Sequence, residues 1–138
     1  MNDIPQGFVP SKFTNGFLDH TGPYYLKKDK QGRTTVGMRV ANNHINYINV
    51  AHGGVLTTLA DVALSLQVHV SEKPNLPIST VSLTTNFLSG AKLGDWIEGV
   101  GTIDRIGGKL AYVHGSIWSG EKTLMTMSAV FNIIRPSK

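Results

Sequence analysis

The sequence has 138 residues, of which 41% are hydrophobic and 16% are charged, a composition typical of one globular domain spanning residues 1–138. The net charge of +4, without any run of five Lys or Arg residues, argues against nucleic-acid binding. The absence of cysteine excludes disulfides and thiolate catalysis. Neither a signal peptide nor an apolar run of the ~18 residues that cross a membrane is found, so we expect a cytoplasmic protein that does not bind membranes.

The first part of the chain is predicted to start irregularly and then to form a hairpin. Residues 1–10 show no regular pattern, and residues 11–19 favour a short helix that ends near Gly22. Strand-like segments follow at residues 24–28 and 33–41, separated by the turn sequence DKQG. In the second of these strands, one face is shared by Thr34, Val36, Met38 and Val40.

Residues 53–70 change to a helical period. Apolar residues recur at helical spacing around almost the whole circumference, which is typical of a central, buried helix. The polar surface that remains is a row formed by Thr57, Asp61 and Ser65, with Thr58 beside it. The sequence EKPNLP ends the helix.

Four further strands are predicted at residues 78–89, 95–106, 110–119 and 124–134. The breaks between them, GAKLG, GGK and SGEK, are short and rich in glycine, as hairpin turns are. Short turns join antiparallel neighbours, so the sheet should be antiparallel. One long helix against five or six such strands predicts an α+β domain in which the helix covers one face of the sheet.

Taken singly, the unusual polar residues have structural explanations. His52 can cap the helix or lie in the core, and Gly53-Gly54 can form a tight strand-to-helix connection. Asn46 can be a turn residue, and Thr80 is ordinary in a strand. The histidines lack metal-ligand spacing with carboxylates, and no GxGxxG or Walker motif is present, which argues against zinc and nucleotide sites.

Asp61 is less easily explained by structure alone. A carboxylate in a helix with hardly any polar face must be paired, protonated or open to a wet cleft. It could simply accept hydrogen bonds from Thr57, Thr58 or Ser65. Alternatively, the glycine amides at the helix start could bind an oxyanion, and a carboxylate with a nearby hydroxyl can hold and deprotonate water.

The pattern N-x5-HGG-x6-D, read at Asn46, His52, Gly53, Gly54 and Asp61, resembles a known family. It is similar to the hot-dog-fold acyl-CoA thioesterases of the phenylacetate-pathway and human thioesterase superfamily member 2 type. The similarity continues through STVSLTTNFLSGAKLGD and GGKLAYVHGSIW and covers roughly residues 30–134. The resemblance implies a hot-dog fold, with an antiparallel five- to six-stranded sheet wrapped around one central helix.

The resemblance also implies roles for individual residues. Asp61 would be the catalytic carboxylate, acting as general base on water or as nucleophile, and Thr80 would orient the water. The Gly53 N–H would hold the thioester oxygen, while His52 and Asn46 would fix the acyl and thiol sides.

Coenzyme A is expected along the strand edges in proteins of this type. No metal or cofactor is implied, because coenzyme A enters only as part of the acyl-CoA substrate. Some relatives carry Lys at the position of Gly108, and here Lys109 is next to it. The residues implied in substrate binding are Gly54, Ser82, Phe87, Arg105, Gly107, Gly108, Lys109, Leu110 and Arg135.

The spacing of Gly53 and Asp61 predicts more than one chain. Eight residues of helix separate them by about 12 Å, whereas a thioester carbon whose oxygen contacts the Gly53 N–H lies only ~4 Å from that nitrogen. Two antiparallel copies of the helix would bring Gly53 of one chain to Asp61 of the other, so we expect a homodimer or a dimer of dimers. The alternatives are a non-catalytic acyl-CoA-binding protein, a hot-dog domain that serves only assembly, and a hot-dog hydratase or dehydratase, whose Gly-His-Phe-Pro type of motif is absent. The sequence leaves the acyl group open.

Overall fold

The computed structural model describes residues 3–13 and 16–135, which form two α-helices and seven strands. Helix α1 spans Phe17–Thr21 and helix α2 spans Gly53–His69, with a 3-10 turn at Asn42–His44. Over the described residues, no helix is both long enough and apolar enough to cross a membrane. The strands are β1 (Val9–Pro10), β2 (Tyr25–Lys28), β3 (Thr34–Arg39), β4 (Ile78–Phe87), β5 (Trp96–Ile106), β6 (Leu110–Ser119) and β7 (Lys122–Ile133).

All strands belong to one antiparallel sheet with the order β1-β2-β3-β5-β6-β7-β4. The α+β class and the single central helix are confirmed, but the sheet has seven strands instead of five or six. The additional strand is β1, which is only two residues long and contains a proline. It is too short to show the alternation of apolar and polar residues that predicts a strand.

The prediction that GAKLG closes a hairpin between β4 and β5 was wrong. Strand β4 pairs with β7, whereas β5 pairs with β3 and β6. The GAKLG segment instead bonds to the loop before α2, since the N–H of Ala51 donates to the carbonyl of Ala91 at 2.7 Å and Val50 bridges to Lys92. The segment therefore carries the chain across the sheet, and β4 becomes an edge strand.

Helix α2 packs into the concave face of the sheet. Leu59, Ala63 and Leu64 are fully buried, and the helix approaches β5 closely where that strand carries Gly99 and Gly101. A Cβ atom at Gly101 would lie 2.6 Å from Leu64 Cδ2, so a larger residue there would push the helix away. These glycines set the depth at which the polar row of α2 lies.

Helix α1 is shorter than predicted and starts later. Residues 11–13 are not helical, the helix begins at Phe17, and the predicted end near Gly22 is confirmed; residues 14 and 15 of the predicted helix lie outside the described residues. The buried ring of His44 accepts a hydrogen bond from the Ala41 N–H through Nδ1 and donates from Nε2 to the carbonyl of Thr21 at 2.6 Å. The end of α1 is thereby fixed to the loop that leads to α2.

Strand β4 contains a β-bulge at Val81. Thr80 pairs with the buried Phe131, whereas Ser82 pairs with Val130 on the outer face. Regular alternation would put residues 80 and 82 on the same face. The bulge therefore turns Thr80 towards α2 and Ser82 away from it.

Candidate active site

A groove of about 790 Å³ runs between α2, the inner face of β4 and the N-terminal segment. The polar row of α2 lies in this groove, as do Thr80 and Leu83 of β4. Most of the lining is apolar, so the polar residues stand out. The row consists of Thr57, Thr58, Asp61 and Ser65, each of which is half-buried.

Asp61 is paired across the groove with Thr80. The Thr80 hydroxyl donates to Asp61 Oδ1 at 2.7 Å, and the bulge at Val81 is what aims that hydroxyl inwards. Because the carboxylate is only half-buried, water and substrate can reach it from the groove. Asp61 therefore lies in an open cleft and has one hydroxyl partner, which agrees with two of the environments expected from the sequence.

The other hydroxyls of the row do not bind Asp61. Thr57 and Thr58 donate to the carbonyls of Gly53 and Gly54 at 2.9 and 2.8 Å, and Ser65 donates to a backbone carbonyl in the same way. Such bonds to the preceding turn use up the hydroxyl proton. Asp61 therefore accepts no hydrogen bond from Thr57, Thr58 or Ser65, and the purely structural role expected from those hydroxyls is not observed.

The start of α2 leaves one amide open. His52 is the N-cap, and its Nδ1 accepts a hydrogen bond from the Gly54 N–H at 3.2 Å. Its carbonyl accepts from Val55 and Leu56. Among the described residues the Gly53 N–H has no acceptor, so it is the available donor at the positive end of the helix. Since Nδ1 of His52 accepts, the ring proton is on Nε2 and can be donated to a ligand.

Asn46 has the turn role that its loop sequence suggested. Its Oδ1 accepts hydrogen bonds from the N–H groups of Ile48 and Val50 at 3.0 and 3.2 Å, which closes a tight loop. Asn49, in the same loop, has a positive φ of 64°. The side-chain amide of Asn46 has its oxygen occupied and its Nδ2 free of partners among the described residues.

The predicted catalytic residues therefore fall into two groups within one chain. Asp61 and Thr80 line the groove, whereas Asn46, His52 and Gly53 lie at the start of α2 and do not line it. Eight residues of helix separate Gly53 from Asp61, which corresponds to about 12 Å. One chain holds a carboxylate with its hydroxyl and, separately, a set of donors.

Most of the residues expected to bind coenzyme A surround the β5–β6 turn. A groove of about 600 Å³ is lined by Arg105, Gly107, Lys109 and Leu110 together with Tyr112 and with Asp104, whose carboxylate bonds to His114 at 2.7 Å. Gly108 is in the same turn, at an exposed position.

Ser82 and Phe87 lie elsewhere on β4. Ser82 lines a small recess on the outer face that shares Tyr112 with the groove at the turn. Phe87 is on the inner face at the far end of β4, where its ring is 3.6 Å from the Cβ position of Gly53. The expected binding residues thus do not form a single surface in one chain.

Arg135 is engaged within the chain. Its guanidinium donates to both carboxylate oxygens of Glu72 at 2.9 and 3.2 Å, and to the carbonyls of Gly108 and Gly107 at 2.9 and 3.0 Å. These hydrogen bonds from Arg135 hold the pKa of Glu72 below its usual value. Arg135 therefore positions the turn, which leaves Arg105 and Lys109 as the cations available to a ligand there.

Sequence reasoning missed the outer wall of the groove. Phe13, Phe17 and Leu18 close its outer side, and His69 and Ile78 line its far end. The available signal was the spacing of Phe13, Phe17 and Leu18, which would place them on one face of a helix. Without a known partner for that face, the pattern could not be linked to the site. Within the described residues, no group of three or more His, Asp or Glu is arranged to hold a metal ion.

Comparison with known proteins shows the family to which the chain belongs. Residues 48–126, more than half of the chain, match the thioesterase superfamily. A Pseudomonas aeruginosa protein named as a candidate esterase, PA0474, is 35% identical over 96% of this chain and 99% of its own length.

Solved structures share the fold. A hypothetical thioesterase from Streptococcus pneumoniae, solved with coenzyme A, is 25% identical with a TM-score of 0.74 over 83% of this chain and 88% of its own. Zebra fish thioesterase superfamily member 2 is 18% identical with a TM-score of 0.78 over 88% and 89%. The hot-dog fold and the family resemblance are both confirmed.

These matches favour a thioester hydrolase over a hydratase, a dehydratase or a non-catalytic binding protein. A half-buried carboxylate paired with a hydroxyl in an apolar groove, and a helix start with an open amide, are suited to such chemistry. The chain therefore belongs to the thioesterase superfamily and is a thioester hydrolase.

Proposed function

We propose that this enzyme hydrolyses acyl-CoA thioesters to a free acid and coenzyme A, with Asp61 as the catalytic carboxylate. The observation that carries the proposal is the 2.7 Å hydrogen bond from Thr80 to Asp61 in a groove whose other hydroxyls are bound to backbone carbonyls. One carboxylate and one hydroxyl are thus left to act on a ligand.

In the proposed reaction, Asp61 takes a proton from a water molecule that attacks the thioester carbon. The Thr80 hydroxyl donates to the carboxylate, so its oxygen keeps lone pairs that can accept a hydrogen bond from that water and orient it. The new C–O bond places negative charge on the thioester oxygen; the C–S bond then breaks, and the departing thiolate receives the proton that Asp61 took from the water. Direct attack by the carboxylate, followed by hydrolysis of the anhydride, would use the same groups.

The developing negative charge on the thioester oxygen would be stabilised by the Gly53 N–H of a partner subunit. The distance of about 12 Å along α2 argues against a site within one chain, and the Gly53 N–H is open at the positive end of its helix. His52 and Asn46 of that partner would add the Nε2–H and Nδ2 donors.

The edge strand β4 supports such a dimer. It is ten residues long, and Val81 and Phe87 on it are 58% and 53% exposed. A long edge strand with unpaired backbone groups is rarely left uncovered in a folded protein. Pairing of β4 with its copy about a two-fold axis would cover this edge and bring the two α2 helices together in opposite directions.

Coenzyme A would be held at the β5–β6 turn of this assembly. Arg105 and Lys109 are exposed cations beside a groove of about 600 Å³ there. Phosphate groups are well matched to such cations. The hypothetical thioesterase from Streptococcus pneumoniae, solved with coenzyme A, is consistent with this class of ligand.

The test is the release of free thiol from a panel of short, long and aryl acyl-CoA esters. Asp61→Asn should lower kcat at least ~100-fold with little change in coenzyme A binding, because the base is lost while the shape is kept. Asp19→Asn, which removes an exposed carboxylate of α1 outside the groove, is the matched control and should behave as wild type. Near-normal turnover by Asp61→Asn would exclude this carboxylate as the catalytic group.

A further inference from the structure

The groove continues well beyond the proposed reaction centre. From Asp61 it follows α2 past Leu66 to His69, and across the groove β4 contributes Ile78. Eight residues of helix separate Asp61 from His69, which gives this arm of the groove a length of about 12 Å. Hydrolysis at Asp61 by itself needs only the carboxylate end, so the arm requires another explanation.

The N-terminal segment forms one wall of this groove. Phe13 packs edge-on against Tyr24 at a ring distance of 6.0 Å, and Leu18 packs against the core. Phe17, between them in the groove lining, is 65% exposed. The segment contributes two phenyl rings and one aliphatic side chain to the groove.

This wall is held in place at the end of α1. The carbonyl of Thr21 accepts from His44 at 2.6 Å, the Thr21 hydroxyl bonds to the Tyr24 hydroxyl at 2.6 Å, and the Asn43 side chain donates to the carbonyl of His20 at 3.2 Å. An exposed aromatic ring on an anchored helix that faces a groove is the arrangement of an apolar binding site.

The arm offers few partners to a polar ligand. Ser65 donates to the carbonyl of Val62, and Nδ1 of His69 donates to the carbonyl of Leu76 at 2.7 Å, which leaves Nε2 of His69 as an acceptor at the far end. The pantetheine part of coenzyme A carries two amides, and burying amides without partners is costly. An acyl chain has no such need, so the arm matches the acyl side of a thioester better than the thiol side.

Resting on the proposed hydrolysis at Asp61, we propose that Phe13, Phe17 and Leu18 form the acyl-binding wall and set a preference for apolar acyl groups of medium length. An extended chain advances about 1.3 Å per carbon, given C–C bonds of ~1.5 Å at tetrahedral angles. The arm of about 12 Å therefore accommodates about eight to ten carbons. Acetyl groups would leave it empty and longer chains would protrude past His69.

The experiment measures kcat/KM for saturated acyl-CoA esters from two to sixteen carbons. For the wild-type enzyme, kcat/KM should rise by up to about fourfold per methylene as apolar surface is buried, and stop rising near ten carbons. Phe17→Ala should lower kcat/KM for decanoyl-CoA about tenfold and leave butyryl-CoA within twofold, because only the longer chain reaches the ring. Val9→Ala, an equally exposed apolar residue of β1 outside the groove, is the control and should change neither.

A second variant tests the same arm by filling it. Ser65→Leu adds an apolar side chain beside Asp61 on the His69 side, so the optimum should move to shorter chains. A flat chain-length profile, or a Phe17→Ala defect of equal size for butyryl- and decanoyl-CoA, would overturn the acyl assignment. If Phe17→Ala weakened inhibition by free coenzyme A, the arm would hold pantetheine instead. Failure of the underlying function looks different, since then no ester would be hydrolysed or Asp61→Asn would stay active at every chain length.

Discussion

The start and the middle of α2 use their hydrogen-bonding groups in opposite ways. At the start, the Gly53 N–H has no acceptor among the described residues, and the neighbouring Gly54 N–H is taken by His52. Two turns later, Asp61 is an acceptor that has one hydroxyl donor, Thr80. One region can stabilise negative charge and the other can remove a proton.

Between these two regions, the hydroxyl protons of the helix are already engaged by its own backbone. The hydroxyls of Thr57 and Thr58 donate to the carbonyls of Gly53 and Gly54, so they have no proton left for the carboxylate or for a ligand. The comparison teaches that Asp61 is the one group in the polar row of α2 suited to taking a proton from water. The complementary donor lies too far away along the same helix to share that substrate.

The largest predicted effect is the recovery of activity when two inactive variants are mixed. It tests whether the two regions of α2 act together in one site. Asp61→Ala removes the carboxylate, and Asn46→Ala removes the Nδ2 donor together with the Oδ1 that closes the loop before the helix. If each site takes one region from each chain, a mixed dimer collects both lesions in one site and leaves the other intact. Unfolding and refolding an equal mixture gives half mixed dimers, so activity should rise from near zero to about a quarter of wild type.

The measurement is specific activity before and after refolding, with each variant refolded alone as control. A site confined to one chain predicts no recovery, since every chain carries a lesion. Mixed dimers that are verified by mass but remain inactive would contradict the shared site.

A smaller effect should separate Thr80 from other threonines on the same strand face. Thr80→Val removes the hydroxyl bonded to Asp61 and should lower kcat about tenfold while KM changes little. Thr85→Val is the matched control, because Thr85 also faces inwards on β4 but makes no hydrogen bond to Asp61. Thr80→Ser should restore most of the activity. Equal kinetics for the two valine variants would show that the hydroxyl has no role.

The smallest effect concerns a part of the molecule that belongs to neither region. Arg105 and Lys109 at the β5–β6 turn should favour coenzyme A thioesters over the matching pantetheine thioesters, and the preference should be several-fold in KM at low salt. Raising the salt concentration should narrow this gap by screening the phosphates, without affecting kcat. Identical KM values for the two thioesters at low salt would show that these cations do not hold phosphate.

The helix and its motif could be predicted from the sequence because they depend on near neighbours. The period of α2 and the spacing from Asn46 to Asp61 are local, and the structure bears out the helix between residues 53 and 69. The family resemblance, which rests on the same motif, also predicted the hot-dog architecture.

What failed depends on distant partners. Hydrophobic alternation cannot tell that β4 pairs with β7 and not with β5, because both neighbours would satisfy it. The spacing also suggested Thr57, Thr58 or Ser65 as partners of Asp61, whereas their hydroxyls find carbonyls on their own helix. The contribution of Phe17 was hidden for the same reason, since the surface it faces is more than forty residues away in sequence.

The bulge at Val81 makes the pairing register of β4 part of the chemistry. It shifts the two ends of the strand out of phase, so that Thr80 faces the carboxylate while Ser82 faces outwards. A strand of the same length without the bulge would pair Val81 with Phe131 and turn the Thr80 hydroxyl away from Asp61. Deletion of Val81 would instead leave Thr80 and Ser82 as neighbours on their present faces, so among descendants of this enzyme a single-codon deletion here would straighten β4 and keep the pair of Thr80 and Asp61.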